Sequence, residues 1–294
     1  MSLSKTLSIV SVCDNHYVSL LAALMKSIEV NHTTGELIDY YIVEDNIRKE
    51  NKKKLEESIQ SDKISIIWKK IDEIIPTQVK LPLDNSSFPL NIYARLFIPY
   101  FIPENVEKVL YLDVDMIVLT DISKLFAVEL GDKTLAAVID RPQTISNWGG
   151  IANYHDLGLS GDLKYFNSGL LLMDPIKWKI EEIADKTINC INNNIEFANY
   201  PDQYGLNIIF AGNWLELDPL WNCHSTSQED SPYIIHFSGR KPMYRTYSNN
   251  PRYQQIFDQY LSQTHWSGSK RVGEMHRITK KLYNKLERYV SLNF

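Results

Sequence analysis

"VLYLDVDMIVL", residues 109–119, is an apolar run holding two carboxylates, Asp113 and Asp115, with only Val114 between them. In an extended strand, residues i and i+2 point to one face, so a regular strand would set both carboxylates side by side, whereas a turn at Val114 would make them unequal. Like charges that close repel unless something positive lies between them. An apolar run that ends in Asp-x-Asp also reads as a buried strand reaching its carboxyl end, which is where open parallel sheets bind ligands.

Reading outward, the same pattern recurs. "LSIVSVC" (7–13) is a second apolar strand, followed by Asp14 and Asn15 as turn residues and then by a helical stripe of Val18, Leu21, Met25 and Ile28. "IDYYIV" (38–43), "RKENKKKLEESI" (48–59) and "KISIIW" (63–68) continue as strand, helix and strand, and "TLAAVID" (134–140) adds another strand. The run 176–191 carries one long helical stripe, and "PRYQQIFDQYL" (251–261) a similar one. Strands alternating with helices predict an α/β fold with a mostly parallel central sheet flanked by helices.

The chain has 294 residues, 44% of them hydrophobic, which is ample for a large core. No repeat or Pro/Gly/Ser linker divides the first 260 residues, so residues 1–265 are expected to form one catalytic-size domain. A formal net charge of -5 argues against a nucleic-acid partner, because phosphate backbones require basic surface. Cys13, Cys190 and Cys223 are widely spaced with no Cys-x-x-Cys, which fits a reducing compartment, with the cytoplasm as the default. The first residues lack a signal-peptide pattern, and no run reaches the roughly 18 apolar residues of a membrane span.

Composition changes after Trp266. Residues 270–288 hold seven Lys/Arg against two Asp/Glu, with Ile278, Leu282, Leu286 and Val290 at helical spacing. Residues 266–294 therefore read as a basic amphipathic tail. It is either a solvated helix packed on the body or, through 270–290, a peripheral contact with an anionic membrane.

Asp-x-Asp at a strand end suits a hard cation, because carboxylate oxygens match Mg²⁺ or Mn²⁺ and the cation cancels the repulsion. Two solvated aspartates at a strand exit are the bland alternative. "YIIHFSGRKP" (233–242) tips the balance, since an apolar strand ends at His236 and is followed by Gly239, Arg240 and Lys241. An imidazole there completes a two-carboxylate, one-histidine ligand set, and the cations suit diphosphate oxygens.

Five motifs, in order, now carry a resemblance: "SVCDNHYV" (11–18), "YLDVDMIV" (111–118), "YFNSGLLLMD" (165–174), "YPDQYGLN" (200–207) and "HFSGRKP" (236–242), with "IYARLFIP" (92–99) between the first two. Together they resemble glycosyltransferase family 8, which includes bacterial lipopolysaccharide hexosyltransferases and glycogenins. The resemblance implies a glycosyltransferase-A type nucleotide-sugar-binding fold and a Mn²⁺-dependent, retaining transfer of glucose or galactose from a UDP-hexose. The implied acceptor is a glycan or glycolipid, lipopolysaccharide-like or a cell-surface polysaccharide, at the inner face of a membrane.

Carried over by motif, the resemblance implies that Asp113, Asp115 and His236 hold the metal. Val12, Asp14 and Tyr17 contact the uracil nucleoside. Arg95, Asp140, Asn167, Ser168, Asp202 and Gln203 surround the donor sugar, and Gly239 and Lys241 grip the diphosphate. Gln203, Asp202 and Lys241 are the implied catalytic residues. Chemistry independent of family agrees: a cation at the β-phosphate stabilises the leaving group, and a neutral amide is a poor nucleophile. Taken alone, Arg95 also reads as a helix-surface ion pair and Asp202 as a cap of the following helix.

The chain departs from the family pattern at two points. Gly239 runs directly into Arg240-Lys241-Pro242-Met243, one residue shorter than is common, leaving Arg240 and Lys241 as two candidates for the diphosphate. His16 stands where Asn is common. Two other function classes compete: a non-catalytic sugar-nucleotide binder, and a haloacid dehalogenase-like phosphatase that uses the first Asp as nucleophile. The latter motif usually opens its domain, whereas here 112 residues precede it.

Overall fold

The computed structural model describes residues 6–83 and 88–293. In chain order the elements are β1 (Thr6–Asp14), α1 (Val18–Asn31), β2 (Leu37–Asp45), α2 (Lys49–Ser58), β3 (Ile64–Lys70) and α3 (Ile71–Ile74). A 3₁₀ helix over Leu90–Tyr100 follows, then β4 (Val109–Leu112), β5 (Met116–Val118), α4 (Ser123–Phe126), β6 (Leu135–Thr144) and β7 (Lys164–Met173). The rest comprises α5 (Pro175–Ile180), α6 (Ile183–Asn193), α7 (Pro201–Ile209), β8 (Leu215–Glu216), β9 (Cys223–His224), β10 (Ile234–His236), α8 (Pro251–Leu261) and α9 (Glu274–Asn293).

The chain forms two compact units. One comprises Met1–Ile71, Leu110–Glu129 and Pro219–Lys280; the other comprises Asp72–Val109, Leu130–Asp218 and Lys281–Phe294. In the first, strands run in the order β3-β2-β1-β4, with β1, β2 and β3 parallel and Asp14 opposite Asp45. Burial on both faces explains why these strands read as continuous apolar runs, as Ile9, Val10, Ile42 and Val43 illustrate.

A small sheet, β5-β10-β9, also belongs to this unit. Its β5 and β10 pair antiparallel with His236 opposite Met116. Leu20 and Ala23 of α1, Ile117 of β5, Ile235 of β10, and Tyr253 and Phe257 of α8 close over it in one apolar cluster. Packing of this kind fixes strand ends and hence the side chains they carry.

In the second unit β6 pairs antiparallel with β7 and parallel with β8. Trp178 is fully buried there, its ring against Phe210 and its indole N–H donated to the Leu96 carbonyl at 3.0 Å.

Two expectations are corrected. The apolar run from 109 is not one strand through the aspartates: β4 stops at Leu112 and the chain turns at Val114–Asp115. The stripe over 176–191 is not one helix either. Ile176 and Ile180 are exposed, Trp178 is the buried anchor, and a left-handed Glu182 (φ 54°) breaks the helix. The break rephases α6 so that Ile183, Ile188 and Ile191 face inward. Periodicity counted Ile176 and Ile180 as core because it registers hydrophobicity, not direction.

Candidate active site

Asp113 and Asp115 bracket the turn between β4 and β5. Antiparallel pairing of β5 with β10 brings His236 to them, and the Phe237 amide donates to the Asp115 carbonyl at 2.8 Å. His236 Nε2 lies 3.5 Å from Asp115 Oδ1 and 3.9 Å from Asp113 Oδ2. One ligand atom from each of the three residues falls within 4.8 Å of the others.

The two carboxylates are not equivalent. Asp115 is 5% exposed, whereas Asp113 is half-buried and accepts a 2.5 Å hydrogen bond from the Tyr111 hydroxyl.

The donor set fits a divalent cation. His236 Nδ1 lies 2.8 Å from Asn222 Oδ1, an acceptor, so a proton held on Nδ1 leaves Nε2 as the nitrogen that would ligate a cation. The Lys241 ammonium is hydrogen-bonded to Asp115 Oδ2. Burial acts to raise the Asp115 carboxyl, but Lys241 and His236 outweigh it and hold the group well below the usual carboxylate range.

Arg240 faces elsewhere, donating to Thr246 at 3.0 Å and to Glu274 at 2.8 Å. Gly239 has φ +84°, a conformation that L side chains rarely adopt, although a Cβ there would meet no atom within 4 Å. Beside it, Ser238 Oγ is buried without a hydrogen-bond partner among the described residues. An orphaned hydroxyl next to Lys241 is what a phosphate oxygen would satisfy.

Asp14 closes β1. Its Oδ1 accepts from the His16 and Tyr17 amides at 2.9 and 3.1 Å, fixing the turn into α1, so Tyr17 is positioned by the aspartate itself. The end of β1 lies beside that of β4, where Ser11 Oγ donates to the Leu112 carbonyl at 2.7 Å. Val12 sits on β1 in register with Val43. His16 Nε2 is 2.8 Å from the Tyr244 hydroxyl, which donates to Tyr17 at 3.5 Å. Burial, then Tyr244, pushes the Tyr17 phenol far above its ordinary value.

In the second unit, the six residues expected around a sugar form one network. Arg95, in the 3₁₀ helix, donates to the Ser168 carbonyl at 2.8 Å and lies 3.2 Å from Asp202 Oδ2. Ser168 Oγ donates to that same carboxylate oxygen at 2.9 Å. Gln203 Oε1 accepts from the Ser168 amide at 3.0 Å and from Asn167 at 3.2 Å, while Gln203 Nε2 donates to Asp140 at 2.8 Å. Arg95, Ser168, Asp202 and Gln203 are all buried. The surface-pair reading of Arg95 therefore fails. Asp202 does not cap α7 either, because its carboxylate is taken by Arg95 and Ser168 and the Tyr200 position shows no side-chain cap.

Sequence reasoning missed Tyr111, Asn222 and Ser238 as site residues. Only Tyr111 and Ser238 carried a local signal, since both lie inside the quoted motifs. Asn222 comes from a segment with no motif at all.

The profile of Glycosyl transferase family 8 matches residues 8–270. The chain belongs to this family. General stress protein A of Bacillus subtilis is 27% identical over 288 residues, covering 91% of this chain and 97% of its own. Glycosyltransferase GlyB of Streptococcus pneumoniae is 30% identical over 271 residues, covering 86% of this chain; the chain spans 61% of GlyB.

A crystal structure of the galactosyltransferase LgtC in complex with donor and acceptor sugar analogues superposes with TM-score 0.72 at 23% identity, covering 93% of this chain and all of LgtC. At that identity it establishes the fold, which is the expected glycosyltransferase-A type. The chain is a glycosyltransferase by family. Among its described residues, no helix is long and apolar enough to cross a membrane.

Proposed function

We propose that this family member transfers glucose or galactose from a UDP-hexose, with a divalent cation, Mn²⁺ or Mg²⁺, and with retention of anomeric configuration, to a lipopolysaccharide-like or other cell-surface glycan. The observation that carries the reading is the convergence of Asp113, Asp115 and His236 with Lys241 at their edge. Bound there, a divalent ion would supply positive charge to both phosphates of the donor.

On this reading Asp113, Asp115 and His236 hold the cation, and Asn222 keeps His236 in the ligating tautomer. Lys241 leaves Asp115 to donate to the β-phosphate as it departs, where negative charge develops in the transition state. Ser238 Oγ and the Gly239 backbone cradle the same phosphates. Asp14 and Tyr17 take the base, with Val12 beside it; Asp140 and Asn167 carry the acceptor and donor groups that hexose hydroxyls need.

Asp202 is a poor nucleophile because Arg95 and Ser168 both draw on its Oδ2. Gln203 presents a neutral carbonyl held by two N–H donors. Both features favour front-face departure through an oxocarbenium-like pair over a covalent glycosyl-enzyme.

For the acceptor, β6 runs on through Thr144, and residues 145–163 form a turn-rich loop that displays Trp148 at 97% exposure, a flat apolar face of the kind sugar rings stack on. A peripheral membrane contact, on the cytoplasmic side, rests on α9, where Ile278, Leu282 and Leu286 are exposed; Val290, the fourth residue of that stripe, lies outside the described side chains. Sedimentation of the Leu282→Glu/Leu286→Glu variant with anionic liposomes tests it, and unchanged binding would end it.

The function itself is tested by incubating the protein with Mn²⁺ and a panel of UDP-sugars. Slow release of UDP and hexose, abolished by EDTA and by Asp115→Ala, supports the transferase. Saturable UDP binding without turnover would leave the non-catalytic binder, and phosphate release from phosphomonoesters would revive the phosphatase.

A further inference from the structure

The first turns of α9 lie on the residues assigned to the nucleoside base. Lys280 Nζ is 2.8 Å from Asp14 Oδ2. That oxygen is buried and makes no aligned hydrogen bond among the described residues, whereas Oδ1 is committed to the α1 turn. His276 lies flat against His16, with ring centroids 5.0 Å apart, planes at 23° and the facing nitrogens 3.2 Å apart. The helix thus brings a cation to the carboxylate oxygen where a base would bring its imide N–H, and a planar ring against His16, the neighbour of Tyr17.

We propose that α9 is a competitor for the donor nucleotide: Lys280 occupies the carboxylate oxygen that the base needs, so nucleotide binding and release of α9 from Asp14 are one event. This rests on the reading of Asp14 as the base acceptor. A carboxylate only accepts, so it suits the imide N3–H of uracil, whereas cytosine presents an acceptor at N3.

The helix start is tied to the same segment that carries Lys241. Glu274 accepts from Arg240, Thr246 and Arg277, and the Val272 amide donates to the Met243 carbonyl at 2.8 Å. Release of Lys280 therefore leaves α9 held at its first turn. It pivots and is not lost.

The test measures UDP and inorganic pyrophosphate affinity by calorimetry in saturating Mn²⁺, for the full chain and for Lys280→Ala and Lys280→Gln. An ion pair of this partial exposure is worth about a five-fold change in affinity, so both variants should bind UDP about five-fold tighter. Pyrophosphate, which has no base, should bind equally or slightly more weakly. Hydrogen exchange of the amides around Lys280 should speed up when UDP is added to the unaltered protein.

The sign is diagnostic, because removing a cation ordinarily weakens binding of an anion. Unchanged or weaker UDP binding in both variants overturns the inference, as does equal tightening of UDP and pyrophosphate. If the unaltered protein binds neither ligand, the nucleotide-sugar reading fails first and this inference falls with it.

Discussion

Replacing Lys241 with Met should destabilise the metal-free protein and make it more responsive to metal. The Asp115 carboxylate is 6% exposed and the Lys241 side chain 21% exposed, so the pair is largely removed from water. Stripping one partner from a buried pair costs about 3–5 kcal/mol, and the partly open lysine puts this case near 3 kcal/mol. For a chain of this size that lowers Tm by roughly 5 °C.

A divalent ion supplies the missing charge. At a hundred times its Kd it returns about 2.7 kcal/mol through mass action, nearly the whole loss. In the unaltered protein the ion must first displace the Lys241 ammonium, so its stabilising effect there is smaller. Thermal unfolding with and without Mn²⁺ should therefore show a larger metal-induced rise in Lys241→Met than in the parent. Equal rises in the two proteins, or a loss in Lys241→Met that Mn²⁺ leaves unrepaired, would refute the claim that lysine and cation share one place.

Asp115→Asn should lower donor hydrolysis at least tenfold more than Asp113→Asn, because Asp115 is the buried carboxylate facing both His236 and Lys241 while Asp113 leans on Tyr111; UDP release with Mn²⁺ reads the difference. Gln203→Ala should reduce turnover more than tenfold while the protein stays folded, since it removes an acceptor for two N–H groups and a donor to Asp140; circular dichroism beside the rate checks both halves. Burial lowers the His16 imidazole from 6.5 to about 4; Asp14 opposes this, and His276 and Lys280 add to it. A folded value below the unfolded one means that this contribution to stability is complete above about pH 6.5 and is lost as the pH falls toward 4. NMR titration should find His16 neutral at pH 5.5, and Lys280→Ala should move its midpoint upward.

Much of the site was legible before folding because its parts are local. Asp-x-Asp after an apolar run, His236 at the end of another, and Gly239 before two cations each announce a strand end with ligand chemistry, and periodicity supplies the strands. Arg95 and Asp202 were ambiguous in sequence because a buried ion pair and a surface one look alike until the partner is known. The long stripe over 176–191 misled for the same reason: hydrophobicity along the chain does not say which of Ile176, Trp178 and Ile180 turns inward.

The sequence by itself determined the class of fold, the family and the residues that carry the chemistry, since residue type and strand-end position are properties of short segments. Tertiary structure decided which groups meet. Antiparallel pairing of β5 with β10 delivers His236 to Asp115; the turn at Val114 makes the two aspartates unequal; Arg240 goes to Glu274, leaving Lys241 for Asp115; and the first turns of α9 bring Lys280 to Asp14. All but the turn are contacts between residues far apart in the chain. Their energy comes from desolvation and charge at one point in space, a quantity that no stretch of sequence contains.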